Sequence, residues 1–166
     1  GAFSIGVSGN DLILDADTTV TGSISTTDIS GNIGAATNNK SYTIDTSAPL
    51  PPIITSISDD TGSSTSDGIT SDNTLLITGT SEANSSVEVF LDGLSIGATT
   101  TNGTGDWTLD YTGTVLVDGD YILTAQATDQ AGNTGVLSSD YPITINTILP
   151  IPTLTIDDIT ADNTVN

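Results

Sequence analysis

The stretch Ser86-Val87-Glu88-Val89-Phe90-Leu91-Asp92-Gly93-Leu94-Ser95-Ile96-Gly97-Ala98-Thr99 decides the fold class. Val87, Val89 and Leu91 alternate with Glu88 and Phe90, the period of a half-buried strand. Asp92-Gly93 then supplies the two positive-φ residues that a tight hairpin needs. Working outward, Tyr121, Leu123, Ala125 and Ala127 show the same period of two. Helical periodicity is nowhere convincing, and Gly, Thr, Ser and Asn are too frequent for stable helices. Strands are predicted at residues 53–58, 74–80, 86–91, 94–99, 106–111, 119–127 and 138–146. Seven short strands in about 100 residues read as an all-β, Ig-like antiparallel β-sandwich. Trp107, Tyr121 and the aliphatic positions are assigned to its core; a sugar-stacking role for Trp107 is the less economical reading.

A repeat sets the domain organisation. Asp28-Ile29-Ser30-Gly31-Asn32 aligns with Asp129-Gln130-Ala131-Gly132-Asn133 at an offset of 101 residues. At the same offset Asp45 falls on Asn146, Pro49 on Pro150 and Asp17 on Asp118. A second match, Ile69-Thr70-Ser71-Asp72-Asn73-Thr74 with Ile159-Thr160-Ala161-Asp162-Asn163-Thr164, has an offset of 90. The middle unit therefore carries an insertion, placed within residues 60–67. A period near 100 exceeds solenoid repeats and fits tandem domains. Residues 1–48 are expected to be the C-terminal part of one repeat, 49–149 a complete repeat, and 150–166 the first strand and loop of the next. The start at Gly1, without a signal-peptide pattern, reads as an excised piece.

Composition removes whole classes of function. The 166 residues carry 21 acids against one cation, Lys40, for a net charge of −20, with no His and no Cys. Nucleic-acid binding and attraction to anionic membranes lack the cations they need. Thiol chemistry, His-dependent triads and zinc sites of the usual N/S type lack their ligands. No apolar run reaches the length of a membrane span.

The acids gather in loops. Asp59, Asp60, Asp67, Asp72 and Asn73 lie between the first two strands of the middle unit. Asp118 and Asp120 lie before the sixth, and Asp129 and Asn133 after it. Strand alternation places the loops holding Asp59 to Asn73, Asp118 and Asp120 at the C-terminal pole, beside the linker 146–150. It places Asp129 and Asn133 at the opposite pole, facing Asp15, Asp17 and Asp45 of the preceding unit. Carboxylates crowded without cations repel one another. Ca²⁺, which takes six to eight oxygens in flexible geometry, relieves that cost better than Mg²⁺. Asp28 and Asn32, with Asp157, Asp158 and Asp162 of the third piece, complete the candidate ligands. Each of these residues also suits a solvated turn. Asp92, Asp106, Asp110 and Asp140 are assigned to turns or surface. No segment matches the EF-hand pattern; Asp15-Ala16-Asp17 has no Gly following Thr19.

Four motifs carry a family resemblance: Ala127-Thr128-Asp129-Gln130-Ala131-Gly132-Asn133, Asp45-Thr46-Ser47-Ala48-Pro49, Ile77-Thr78-Gly79-Thr80-Ser81-Glu82-Ala83 and Gly105-Asp106-Trp107-Thr108-Leu109. Together they resemble the bacterial Ig-like extender repeats of giant RTX adhesins, type I-secreted surface proteins, and among them the repeats of ice-binding members. The first residues, Gly1 to Leu12, resemble a second variety of such repeat. The resemblance implies linker calcium that stiffens a string of domains and holds a ligand-binding tip away from the cell. It favours Asp45 and the 127–133 loop as ligands at the first junction. The second linker departs from it, with Asn146 in place of Asp45 and Ile148-Leu149 in place of Ser47-Ala48.

The chain is therefore expected to be an extracellular, non-enzymatic spacer at the bacterial surface. Its expected partners are calcium and the neighbouring repeats of the same chain. The alternatives are a glycan- or ice-binding Ig-like domain, or an accessory module of a secreted enzyme. Exposed sheet edges at the cut ends, residues 1–48 above all, are expected either to be disordered or to pair with strands of a neighbouring molecule.

Overall fold

The computed structural model describes residues 18–154, so Asp15, Asp17, Asp157, Asp158 and Asp162 lie outside the described residues. Ten strands are present, and no helix occurs among the described residues. They are β1 (Thr19–Thr27), β2 (Ile33–Ser41), β3 (Ile53–Ser58), β4 (Ile69–Thr70), β5 (Leu75–Thr80), β6 (Ser86–Leu91), β7 (Leu94–Thr100), β8 (Asp106–Tyr111), β9 (Gly119–Thr128) and β10 (Tyr141–Ile145). A five-stranded sheet in the order β4-β10-β9-β6-β7 packs on a three-stranded sheet in the order β3-β5-β8. β1 and β2 form a separate two-stranded antiparallel sheet, with Thr19 opposite Ser41 and Thr27 opposite Ile33.

The core follows from the alternation. Ile54 and Ile57 from β3, Leu75 and Ile77 from β5 and Trp107 and Leu109 from β8 form one wall. Val87, Val89, Leu123, Ala125, Ala127, Ile143 and Ile145 form the other, with Leu116 joining from the loop after β8. Close packing dictates small residues as well as large ones. A methyl group at Gly79 would collide with the Trp107 ring and with the Ile53 carbonyl. Trp107 is 3% exposed and has no face to offer a sugar.

The hairpin joining β6 to β7 forms as the sequence dictates. Asp92 has φ of 50° and Gly93 of 78°, the pair of positive values of a type I′ turn. Asp92 does more than turn the chain. Its N–H donates to the Ile122 carbonyl, and its Oδ1 accepts from the Ile122 N–H, both at 2.9 Å. The turn is thereby strapped to β9. Tyr121, near the start of β9, donates its hydroxyl to the Val117 carbonyl at 2.9 Å. This is the tyrosine corner of Ig-like sandwiches, pinning the strand to the loop before it.

Two expectations need correction. The strand expected at 138–146 is confined to Tyr141–Ile145. Before it, Gly135 bonds the Ala127 carbonyl and Ser138 the Ala125 carbonyl, while Ser138 Oγ accepts from the Ala125 N–H. Between these bonds two residues, Val136 and Leu137, face one, Gln126, so the chain bulges and the ladder opens. The sandwich is also not wholly antiparallel. β4, too short to show a period, runs parallel to β10, with Ile69 opposite Thr144 and Thr70 opposite Ile145.

Gly79→Ala is expected to destabilise the sandwich by about 1–3 kcal/mol through overpacking. Tyr121→Phe should cost about 1 kcal/mol through the lost corner bond. Denaturant melts followed by Trp107 fluorescence check both, and wild-type midpoints for both variants would contradict this packing.

Candidate functional site

At the pole where β9 ends, a five-residue loop is closed by its own acid. Asp129 Oδ1 accepts from the Asn133 N–H and Oδ2 from Asn133 Nδ2, both at 2.8 Å. Backbone bonds run from Asp129 N–H to the Asn133 carbonyl (3.0 Å) and from Gly132 N–H to the Asp129 carbonyl (3.3 Å). Gly132 takes φ of 92°, which favours glycine. The loop from Asp28 to Asn32 repeats this construction. The Asn32 N–H and Nδ2 bond Asp28 Oδ1 and Oδ2 at 2.9 and 2.7 Å, and Gly31 has φ of 87°. In each loop the Asn amide bond, foremost, holds the carboxyl below its ordinary value. These four residues thus meet each other's needs from within the protein.

The segments expected to be linkers repeat a turn as well. Asp45 Oδ1 accepts from the Ser47 N–H at 3.0 Å, and Asn146 Oδ1 from the Ile148 N–H at 3.1 Å, the same turn at both places. Asn133 Nδ2 also reaches the Asp45 carbonyl at 3.1 Å, bringing Asp45 to the Asp129 loop.

At the other pole the buried Thr70 organises the long loop after β3. Its hydroxyl donates to the Asp59 carbonyl at 2.5 Å and accepts from the Asp72 N–H at 2.9 Å. Asp72 Oδ2 accepts from the Asp59 N–H at 2.8 Å; Oδ1 takes the N–H and hydroxyl of Thr74, each at 2.9 Å. Burial works to raise the Asp72 pKa, but these donors outweigh it and the net shift is downward. Asp67 Oδ1 accepts from the Ile69 N–H, and the Asn73 carbonyl from the Leu116 N–H. Asp118 Oδ1 accepts the N–H and hydroxyl of Thr147, and Asp120 Oδ1 the Thr144 hydroxyl. Since Thr144 and Asn146 also bond the Gly68 and Thr70 carbonyls, both acids lie at the pole of the long loop.

Asp60 differs from its neighbours. Its Oδ2 accepts from the Gly68 N–H at 3.0 Å, but its Oδ1 is buried with no hydrogen-bond donor. Nearby Tyr141 has its pKa raised, by burial first and then by the Asp60 charge. Among the described residues, no three acidic side chains converge closely enough to hold a metal ion through side chains alone. The expected loops therefore meet at the expected pole, but most of their carboxylates turn toward local donors. Sequence reasoning missed Thr70 as the hub, although its place just before Asp72-Asn73 in the repeated motif was a signal.

The profile of the bacterial Ig-like domain family matches residues 47–147, and the chain belongs to that family. No curated protein matches it. Among solved structures, the BSP domain of a biofilm-associated protein has a TM-score of 0.45 at 20% identity, over 79% of this chain and 20% of that one. A 1.5-MDa bacterial ice-binding adhesin, described for host cell surface retention, has a TM-score of 0.46 at 24% identity, over 97% and 52%. A Ca²⁺-stabilised adhesin with which an Antarctic bacterium binds ice has a TM-score of 0.46 at 25% identity, over 95% and 38%. The chain thus spans 20 to 52% of the length of these chains.

The lowered Asp72 value sets a direction for acid unfolding. Stability from this group is fully present above its unfolded value, near 3.8, and is lost as pH falls through the lower folded value. Asp72→Asn should therefore lower stability at pH 7 and flatten its decline below pH 4 in thermal melts. A decline as steep as that of the wild type would contradict this role.

Proposed function

We propose that the chain is a structural extender module of a bacterial surface adhesin, working outside the cell and performing no catalysis. Residues 49–149 form one complete unit of a tandem array. Residues 1–48 close the preceding unit, and 150–166 open the next. The array holds a ligand-binding tip away from the cell.

Recurrence is the observation that carries this reading. The self-closed acidic loop appears at Asp28 and again at Asp129, and the linker turn at Asp45 and again at Asn146, all at one offset of 101 residues. A chain that repeats both its loop and its linker repeats a way of joining units, which is what a spacer needs. Membership of the bacterial Ig-like family agrees with that role.

Calcium completes the reading. A buried carboxylate oxygen without a donor is costly, and the chain has no cation but Lys40 to offset it. The orphaned Asp60 Oδ1 suits a hard cation, the rest of whose oxygen shell would come from backbone carbonyls and water, since among the described residues no three acidic side chains converge there. Asp118 and Asp120 at this pole, and Asp45 at the other, would contribute where a linker meets a domain. Bound Ca²⁺ supplies charge neutralisation there and no reaction chemistry.

The melting temperature should climb with calcium concentration. The gain should be about 2.7 kcal/mol at a hundredfold excess over Kd. Asp60→Asn should remove most of it. A calorimetric melt that does not move with calcium would refute the metal's part in this function.

A further inference from the structure

We infer that each linker is clasped by protein groups of both units it joins, so that the joint has a direction without any metal. The inference rests on the tandem reading above and deepens it.

At the first linker the grip comes from the unit being entered. Asn133 Nδ2 donates to the Asp45 carbonyl at 3.1 Å. Pro49 is buried, and Gly135 lies against it so closely that a methyl group there would collide with the Pro49 carbonyl. At the second linker the grip comes from the unit being left. The Asn146 N–H donates to the Thr70 carbonyl at 2.8 Å. Thr147 gives its N–H and hydroxyl to Asp118 Oδ1 at 3.1 and 2.8 Å.

Asp45 and Asn146 occupy the same place in the repeat. Superimposed on one linker, the two grips hold opposite ends of a single residue. Its N–H bonds the unit behind, and its carbonyl bonds the unit ahead. The side chain of that residue meanwhile closes the linker turn in both cases, as Asp or as Asn. Both grips read the linker's backbone, so they survive the replacement of Asp45 by Asn146 and of Ser47-Ala48 by Ile148-Leu149. They also explain why glycine stands at 135: any side chain there would push the linker off its seat. The Asp129–Asn133 loop is then the base of a clasp, with the Asn amide closing the loop and reaching the linker at once.

The absence of native cysteine makes a direct test simple. Asn39→Cys in β2 and Ala98→Cys in β7 would carry spin labels, and their separation would be measured by pulsed electron resonance in EDTA. A narrow distribution is expected, and Gly135→Ala should broaden it and shift its mean while the thermal melt of the sandwich stays in place. A broad distribution with Gly135 in place, or one that Gly135→Ala leaves unchanged, would overturn the inference. The first result decides even if the Gly135→Ala protein fails to fold. Adding calcium separates the two claims. Failure of the calcium reading leaves the narrow distribution in EDTA intact, and failure of the clasp leaves any calcium-dependent melting intact.

Discussion

Twenty-one carboxylates in a chain with one ammonium group cannot be stabilised by ion pairing, and the rest of the structure answers to that constraint. The charge must be met by N–H and O–H donors or by ions from outside. The described structure takes the first course wherever a loop can fold back on its acid. Asp28 and Asp129 draw on an Asn four residues on, Asp72 on Thr74 and the Asp59 backbone, and Asp110 on the N–H and hydroxyl of Thr112. The abundance of Thr, Ser and Asn follows from this, since these side chains are the donors and turn formers an acidic chain without Arg can use. The same bonds set the shapes of the loops between strands.

Much of the sandwich was legible in the sequence because strand alternation and turn chemistry are local. β3, β6 and β8 have the expected bounds, and Asp92-Gly93 makes the expected turn. Where the expectations failed, the deciding bonds come from elsewhere in the chain. β4 exists because Thr144 and Asn146 bond the Gly68 and Thr70 carbonyls, and two residues carry no period to betray it. The last strand is shortened because Ser138 takes a place in the ladder with its side chain, a substitution that hydrophobic pattern does not encode.

The candidate site was legible at one level and not at another. Loop order along the strands brings Asp59, Asp60, Asp67, Asp72, Asp118 and Asp120 to one pole. What each carboxylate does there depends on its distance to particular donors. Both carboxylate oxygens of Asp72 and of Asp129 have donors from the protein, whereas Asp60 keeps one buried oxygen without a donor. Spacing in the chain distinguishes some of these. An acid followed by Gly at the third position and Asn at the fourth signals a self-closing loop. Nothing local distinguishes Asp60 from Asp59. The difference arises when the loop folds over and the Gly68 N–H takes only one of the Asp60 oxygens.

The net charge of −20 thus includes acids that the protein serves itself and Asp60, one of whose oxygens it leaves without a donor. The most direct measurement of that difference is the calcium retained by the purified chain after gel filtration, counted by atomic emission. Stoichiometric calcium that is stripped by EDTA and regained on titration is the result expected of a calcium-stiffened spacer. A chain that emerges folded, metal-free and indifferent to millimolar calcium would contradict it.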